Sequence, residues 1–538
     1  MKENEKFLVV RDDGYSQYGG PDLPDILSPE DFLRLNVDYL ADYPMVKVKE
    51  LGMGPGTTMT YNTKVGELPM ADADEADWKI VRENDRQVFK NIRHLISLGT
   101  DPIRLAARRC HELGLKIWIR YELNCFYGPA EKDNYLWVAL GGRFAKEHPE
   151  YRLKNDPVNA PRGNSTKMNF AFREVRENRL AVIRELAQYD IDGISLDFCV
   201  YPPFFDDPKK DGPLMTDFMR EARKILDEEG SKRGTKLDLI ARLDYNGEIY
   251  GLDFRAWIRE GLLDFVIPSV TWVHECWDVP NEAFIEACRG TNCRALTCIR
   301  PFTRAVNTDP NPEDKKSGIT RTMEDLSKES LYAKAYLGLK NGSAGLQIAI
   351  GTGGLTDTVK INPKSEYRRD GWRTVYGSLA DMNLLARQDK RYEFNENQGL
   401  PAVLNPANPR ADFTLRIADD PANLQSAVLI LHARGLSPCE TVTLTVNGTN
   451  IVLTEKELNL SIHAYPILDH HEFPNYILFR LNRWWEIGRN TLEIPVSLLR
   501  EGTNAFSFTY KPNGSKRSAA GDFRFGRLYL DLKIKKNT

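Results

Sequence analysis

Carboxylates in this sequence gather where short apolar runs end. Phe7–Val10 runs straight into Arg11-Asp12-Asp13-Gly14. LKIWIR (115–120) is followed by Glu122, Ile194-Ser195-Leu196 ends on Asp197, and LDLIAR (237–242) is followed by Asp244. The run DFVIP (264–268) opens into SVTWVHECWD, which holds Trp272, His274, Glu275, Trp277 and Asp278, and Ala295–Ile299 ends at Arg300. A buried carboxylate without a partner is costly, so a charge closing an apolar strand marks either a cleft edge or a fixed ion pair. Past Asp197 the chain turns aromatic and proline-rich, as Tyr201-Pro202-Pro203-Phe204-Phe205.

Acidic and aromatic side chains together suit sugars. Carboxylates accept from hydroxyls, and Tyr and Trp faces cover the apolar faces of pyranose rings. Glycoside hydrolysis needs two carboxylates across a cleft: a nucleophile or base, and an acid whose pKa is raised so that it protonates the leaving group. Asp197 with Glu275, or after that Asp278, meets the need. Asp12, Asp13, Glu122, Asp244, Trp272, His274, Arg300 and Tyr201 are the candidates to hold substrate. Each has a plainer reading. Asp12-Asp13-Gly14 and Asp244 with Asn246-Gly247 are turn signatures. Glu122 can pair with Arg120 or Arg143, Arg300 can hold Asp197 ionised, and Asp197 can cap its own loop.

A metal site is the competing use of Asp12, Asp13, Asp197 and His274, but HExxH and HxH spacings do not occur. Neither do GxSxG, GxGxxG at a strand–helix junction, or a phosphate loop ending GK[ST]. No cofactor and no metal is expected. The rivals to a glycosidase are a carbohydrate-binding protein with a degenerate barrel, lacking an acid opposite Asp197, and a metal-dependent hydrolase or lyase.

The elements that would position these groups follow one rhythm. Eight short apolar strands, at about 7–10, 43–49, 115–120, 194–197, 237–242, 264–268, 295–299 and 345–350, are separated mostly by amphipathic helices. That is the arithmetic of a (β/α)8 barrel, whose chemistry sits at the C-terminal ends of its strands. One more helix over 372–388 closes it. Near Pro401 the texture changes to period-two strands with turn signals, Asn447-Gly448 the strongest. The expected organisation is an α/β barrel over 1–395 and an all-β, jelly-roll-like sandwich over 396–538.

The 538 residues exceed a single core. A formal net charge of -3 gives no electrostatic case for nucleic acid. No apolar run has the length of a membrane span, and MKENEKFLVV lacks a signal-peptide core. The expectation is a cytoplasmic protein, or one exported with a leader not present in this sequence. Its partner would be a carbohydrate, with a homo-oligomer open. Eight cysteines without a CxxC favour a reducing compartment.

Over roughly residues 7–350 the chain resembles the bacterial glycoside hydrolases of the glycosyl-hydrolase-like ten group. The resemblance is carried by Asp12-Asp13-Gly14-Tyr15-Ser16, by Glu174-Val175-Arg176-Glu177-Asn178-Arg179-Leu180, by Asp192-Gly193-Ile194-Ser195-Leu196-Asp197-Phe198, and by WIREGLLDFVIP (257–268). More distantly it is similar to alpha-galactosidase-type barrels. The resemblance implies a glycosidase barrel with Asp197 as nucleophile, Glu275 or Asp278 as acid/base, and Asp12 and Asp13 gripping the non-reducing sugar.

Overall fold

The apolar runs that end in charges are the staves of a closed barrel. They are β1 (Phe7–Arg11), β2 (Val46–Pro55), β3 (Lys116–Glu122), β4 (Gly193–Asp197), β5 (Asp238–Asp244), β6 (Phe265–Ser269) and β7 (Arg294–Ile299). A hairpin of β8 (Phe302–Val306) and β9 (Arg321–Asp325) intervenes before the eighth stave, β10 (Gly345–Ala349). All eight staves pair in parallel, and β10 closes against β1. The computed structural model describes residues 5–12, 14, 18–19, 24–124, 128–156, 163–199, 202–270, 277–300, 302–306, 321–349, 375–395, 398, 400, 402–434, 440–453, 488–512 and 523–536.

Successive side chains of a strand point to opposite faces. That parity divides each stave into a lumen face and a helix face. Phe7, Val9, Val48, Trp118, Ile240, Phe265, Ile267, Leu296, Cys298 and Ala349 form one small core inside the ring. Its floor is aromatic: Trp118 lies 4.9 Å from Phe265, and the Arg294 guanidinium covers Phe265 at 4.6 Å. Two residues further along the staves the same face turns polar, with Arg11, Glu50, Arg120, Ser195, Arg242 and Gln347, all buried. The lumen is therefore apolar at the strands' N-terminal ends and ionic towards their C-terminal ends.

Helices cover the outside. Pro102–Glu112 starts at Asp101, whose carboxylate accepts from the Ile103 and Arg104 N–H groups. Pro213–Arg233 ends on Gly234 at φ +66°, the left-handed stop that glycine alone adopts without strain. The helix Lys328–Lys340 is buried from Ser330 to Leu339, because it lies between the barrel and the second domain. The expected helix over 372–388 is broken. Residues 375–378 are helical, and Asp381 then caps a separate turn, Met382–Leu385. A carboxylate that accepts from the backbone ahead of it starts a helix and does not continue one.

The described residues of the C-terminal region form two antiparallel sheets. One has the order β11 (Lys390–Glu393), β19 (Phe523–Ile534), β14 (Leu424–Arg434), β17 (Gly488–Ile494), with β12 (Ala402–Leu404) also on β19. The other runs β13 (Arg410–Ile417), β18 (Gly502–Pro512), β15 (Glu440–Val446), β16 (Thr449–Leu453). Asn447-Gly448 forms the two-residue turn between β15 and β16, with φ +48° and +92°. The barrel followed by a β-sandwich is the expected fold. The sheet starts before the expected junction at 395/396, since β11 pairs with β19 from Lys390 onward. Tyr392 and Lys390 are both tied to Asp419, at 2.6 and 2.9 Å. Among the described residues no helix is long and apolar enough to cross a membrane.

Candidate active site

Asp197 closes β4 on the lumen face, with no exposed surface. Its Oδ2 accepts from Arg11 at 2.9 Å and from Arg120 at 3.2 Å. Its Oδ1 accepts from Arg242 at 2.9 Å and from the Cys199 N–H at 3.0 Å. Burial by itself would push this carboxyl up. Arg242, Arg11 and Arg120 outweigh it and hold the group below the ordinary carboxylate range. Arg11 is pushed down to about 10, by burial first and then by the neighbouring charges of Arg242 and Arg120.

Glu122 is the register partner of Asp197 on β3. The same Arg120 Nη1 that reaches Asp197 also donates to Glu122, so one nitrogen stands between two carboxylates. Glu122 is displaced in the opposite direction: burial raises it, the Asp197 charge adds to the rise, and Arg120 opposes both without prevailing. Of the Asp197, Arg120 and Glu122 side chains, that of Glu122 is the most exposed, at 10 % against 0 % and 1 %. Deeper in the ring, Glu50 is raised by burial and accepts from Gln347 Nε2. Arg242 also donates to Ser269 Oγ at 2.7 Å.

Arg120 fits this place because β2 carries a glycine opposite it. A Cβ on Gly52 would sit 2.8 Å from Arg120 Nη2 and 2.8 Å from the Gly14 Cα. Gly52→Ala is expected to cost about 1–3 kcal/mol by overpacking. The urea midpoint should fall with the m-value unchanged; an unaltered midpoint would mean that Arg120 has room to move.

The other expected site residues are distributed differently. Asp12 lies on the outer side of the wall. Its Oδ1 accepts from the Gly14 N–H at 3.1 Å and the Gly52 N–H at 2.9 Å, and Oδ2 pairs with Lys49 at 2.8 Å. Lys49 is itself surrounded by Tyr39 and Cys110 of the helical layer. Asp12 follows Arg11, and the parity that sends Arg11 inward sends Asp12 outward. Asp244 is buried at the end of β5, and its Oδ1 accepts from the Asn246 N–H at 2.9 Å, the turn arrangement its sequence suggested. Arg300 is buried just past β7. The arginines that reach Asp197 come from β1, β3 and β5.

Asp278 turns towards the second domain. It accepts from Arg416 of β13 through both oxygens, the Nε contact being 2.6 Å, and its N–H donates to Asn395 Oδ1 at 2.8 Å. Beside it, Trp277 Nε1 donates to Ser330, which donates to Glu393 of β11 at 2.7 Å. This carboxylate is a brace between domains. Arg416→Ala should cost about 1.5–3 kcal/mol, the worth of charged hydrogen bonds, and Asp278→Asn in the same background should add little; additive losses would show that the two groups act separately. Asp13, Tyr201, Trp272, His274 and Glu275 lie outside the described residues.

The groups that sequence reasoning missed are Arg11, Arg242, Glu50 and Gln347, and Arg120 was weighed only as a partner of Glu122. Their signal was parity: Val9/Arg11, Trp118/Arg120/Glu122, Ser195/Asp197 and Ile240/Arg242/Asp244 each fall on one face of their stave. Among the described residues no group of three or more His, Cys, Asp or Glu is placed to hold a metal ion.

No family model and no curated protein matches the chain. It aligns with solved structures of carbohydrate-active enzymes at low identity. One is a cycloisomaltooligosaccharide glucanotransferase of Paenibacillus sp. (TM-score 0.34, 10% identity, 97% of this chain and 57% of that one). Another is a cell-surface multi-modular chitinase of Paenibacillus sp. (0.40, 11%, 95% and 52%). A third is a β-L-arabinopyranosidase of Geobacillus stearothermophilus (0.36, 11%, 96% and 98%). The chain spans little more than half the length of the first two. The structural neighbours are thus glycoside hydrolases and a related transferase, at identities and TM-scores too small to carry a substrate or a residue's role across.

Proposed function

We propose that the chain is a glycoside hydrolase whose proton-transfer group is Glu122, at the floor of the barrel mouth. One observation supports the reading. Two carboxylates, register partners at the C-terminal ends of adjacent staves, flank a single guanidinium nitrogen and are driven apart in acidity, Glu122 up and Asp197 down. Such a split is how one site supplies a protonated acid beside an ionised carboxylate at neutral pH.

Both oxygens of Asp197 already accept two hydrogen bonds each. In this reading Asp197 is the fixed anion that sets the Arg120–Glu122 pair and adds to the upward shift of Glu122, in place of the expected nucleophile. The second carboxylate that the reaction requires is assigned to Glu275, six positions after the end of β6 in sequence. It follows the stave three positions round the ring from β3, and the sequence itself favoured it over Asp278.

The test is hydrolysis of a panel of aryl glycosides and oligosaccharides by wild type, Glu122→Gln and Glu275→Gln. Turnover of at least one glycoside by wild type, with both variants reduced, is expected. A folded wild type inert towards the whole panel would overturn the reading. Full activity in Glu122→Gln would move the acid elsewhere.

A further inference from the structure

Two thiols meet in the turn that joins the helix Glu282–Cys288 to β7. Cys288 is the last residue of the helix, and Cys293 directly precedes the strand. Gly290, at φ +74°, reverses the chain between them. The Thr291 N–H and Oγ1 both donate to the Cys288 carbonyl, at 3.0 and 2.9 Å, and the Cys293 N–H donates to Thr291 Oγ1 at 3.2 Å. These bonds hold the reversal in shape, with the two thiols near enough to influence each other's acidity. Both thiols are free, Cys288 partly exposed and Cys293 buried. The turn enters β7 at its N-terminal end, opposite the mouth.

We propose that Cys288 and Cys293 are a redox modification site, closing to an intramolecular disulfide when the chain meets a small-molecule disulfide. The roles of the two thiols differ. Cys288 is reachable and Cys293 is buried, so the outer thiol meets the oxidant first and the inner one resolves. An exposed thiolate next to a buried resolving thiol is the arrangement that reacts selectively.

With oxidised glutathione as the oxidant, the Cys288 thiolate attacks one glutathione sulfur. The glutathione S–S bond breaks, a mixed disulfide forms at Cys288, and one glutathione thiolate leaves and takes up a proton. Cys293 then gives its proton to solvent and attacks the Cys288 sulfur. The protein disulfide forms and the second glutathione leaves as its thiol. Two protein thiols are oxidised and one glutathione disulfide is reduced to two thiols, so the electrons balance.

The experiment uses the full chain, folded, treated with oxidised glutathione and mapped by peptide mass spectrometry without reduction. The wild type should yield a peptide pair linked Cys288–Cys293, lighter than the reduced pair by about 2 Da, with no glutathione retained at either position. Cys293→Ser should trap glutathione on Cys288, and Cys288→Ser should leave Cys293 unmodified. Dithiothreitol should reverse the wild-type product. The proposal is overturned if wild type keeps glutathione on Cys288, or if both thiols stay reduced while iodoacetamide labels Cys288.

Discussion

Asp197→Asn is expected to lower the unfolding free energy by about 3–5 kcal/mol, more than any other single change proposed. The substitution keeps the shape and some of the hydrogen bonds. It removes the one charge shared by Arg11, Arg120 and Arg242, each of which approaches it within 3.2 Å. Three guanidinium groups crowded in a buried lumen then face one another without their central countercharge, and removing one partner of a buried pair costs more than the pair is worth. Arg11, already pushed down to about 10, is the group that releases its proton first.

The pH dependence carries the same signature. Asp197 titrates lower in the folded chain than in the unfolded one, so its contribution is complete above the ordinary carboxylate range and is lost as pH falls through its folded value. Glu50 and Glu122 are raised, so theirs is complete below the ordinary range and is lost as pH rises through their folded values. Urea unfolding across pH 2–8 should therefore show a steep acid loss in wild type that is shallower in Asp197→Asn. An Asn variant as stable as wild type at pH 7 would remove Asp197 from the centre of the network.

Glu122→Gln is expected to reduce kcat about 10²–10⁴-fold on substrates with poor leaving groups, with KM changed far less. Glutamine fills the same space and still accepts from Arg120, so the fold is retained; what is lost is a transferable proton. Aryl glycosides with acidic phenol leaving groups depart without protonation and should lose much less. The alkaline limb of the wild-type kcat profile reports the raised Glu122, whose proton persists to a higher pH than an ordinary carboxyl's because burial and the Asp197 charge disfavour its anion. That limb should vanish in the variant. A uniform loss across leaving groups would mark Glu122 as a structural partner of Arg120.

The barrel was legible because its cue is local. Each stave carries a short apolar stretch, and seven of the eight lie within two residues of their expected starts. The hairpin β8–β9 was not, since FTRAV and RTMED are short and well separated in sequence. Within the site, residue types at the strand ends were legible but their direction was not. Arg11 and Asp12 are neighbours in sequence and lie on opposite sides of the wall, and only counting by twos from Phe7 separates them. Asp278 shows the other limit. Its partner Arg416 is 138 positions away in a different domain, and no local pattern encodes such a pairing.

The last strand has a consequence for how the molecule comes apart. β19 holds β14 on one side and both β11 and β12 on the other, so the segment leaving the barrel is hydrogen-bonded to a strand that comes much later in sequence. A protease nick near residue 400 would not release two halves, because the cut ends stay laced through the same strand. Deleting β19 would instead unpick the seam from both sides, leaving the exit of the barrel and the centre of a sheet bare at once.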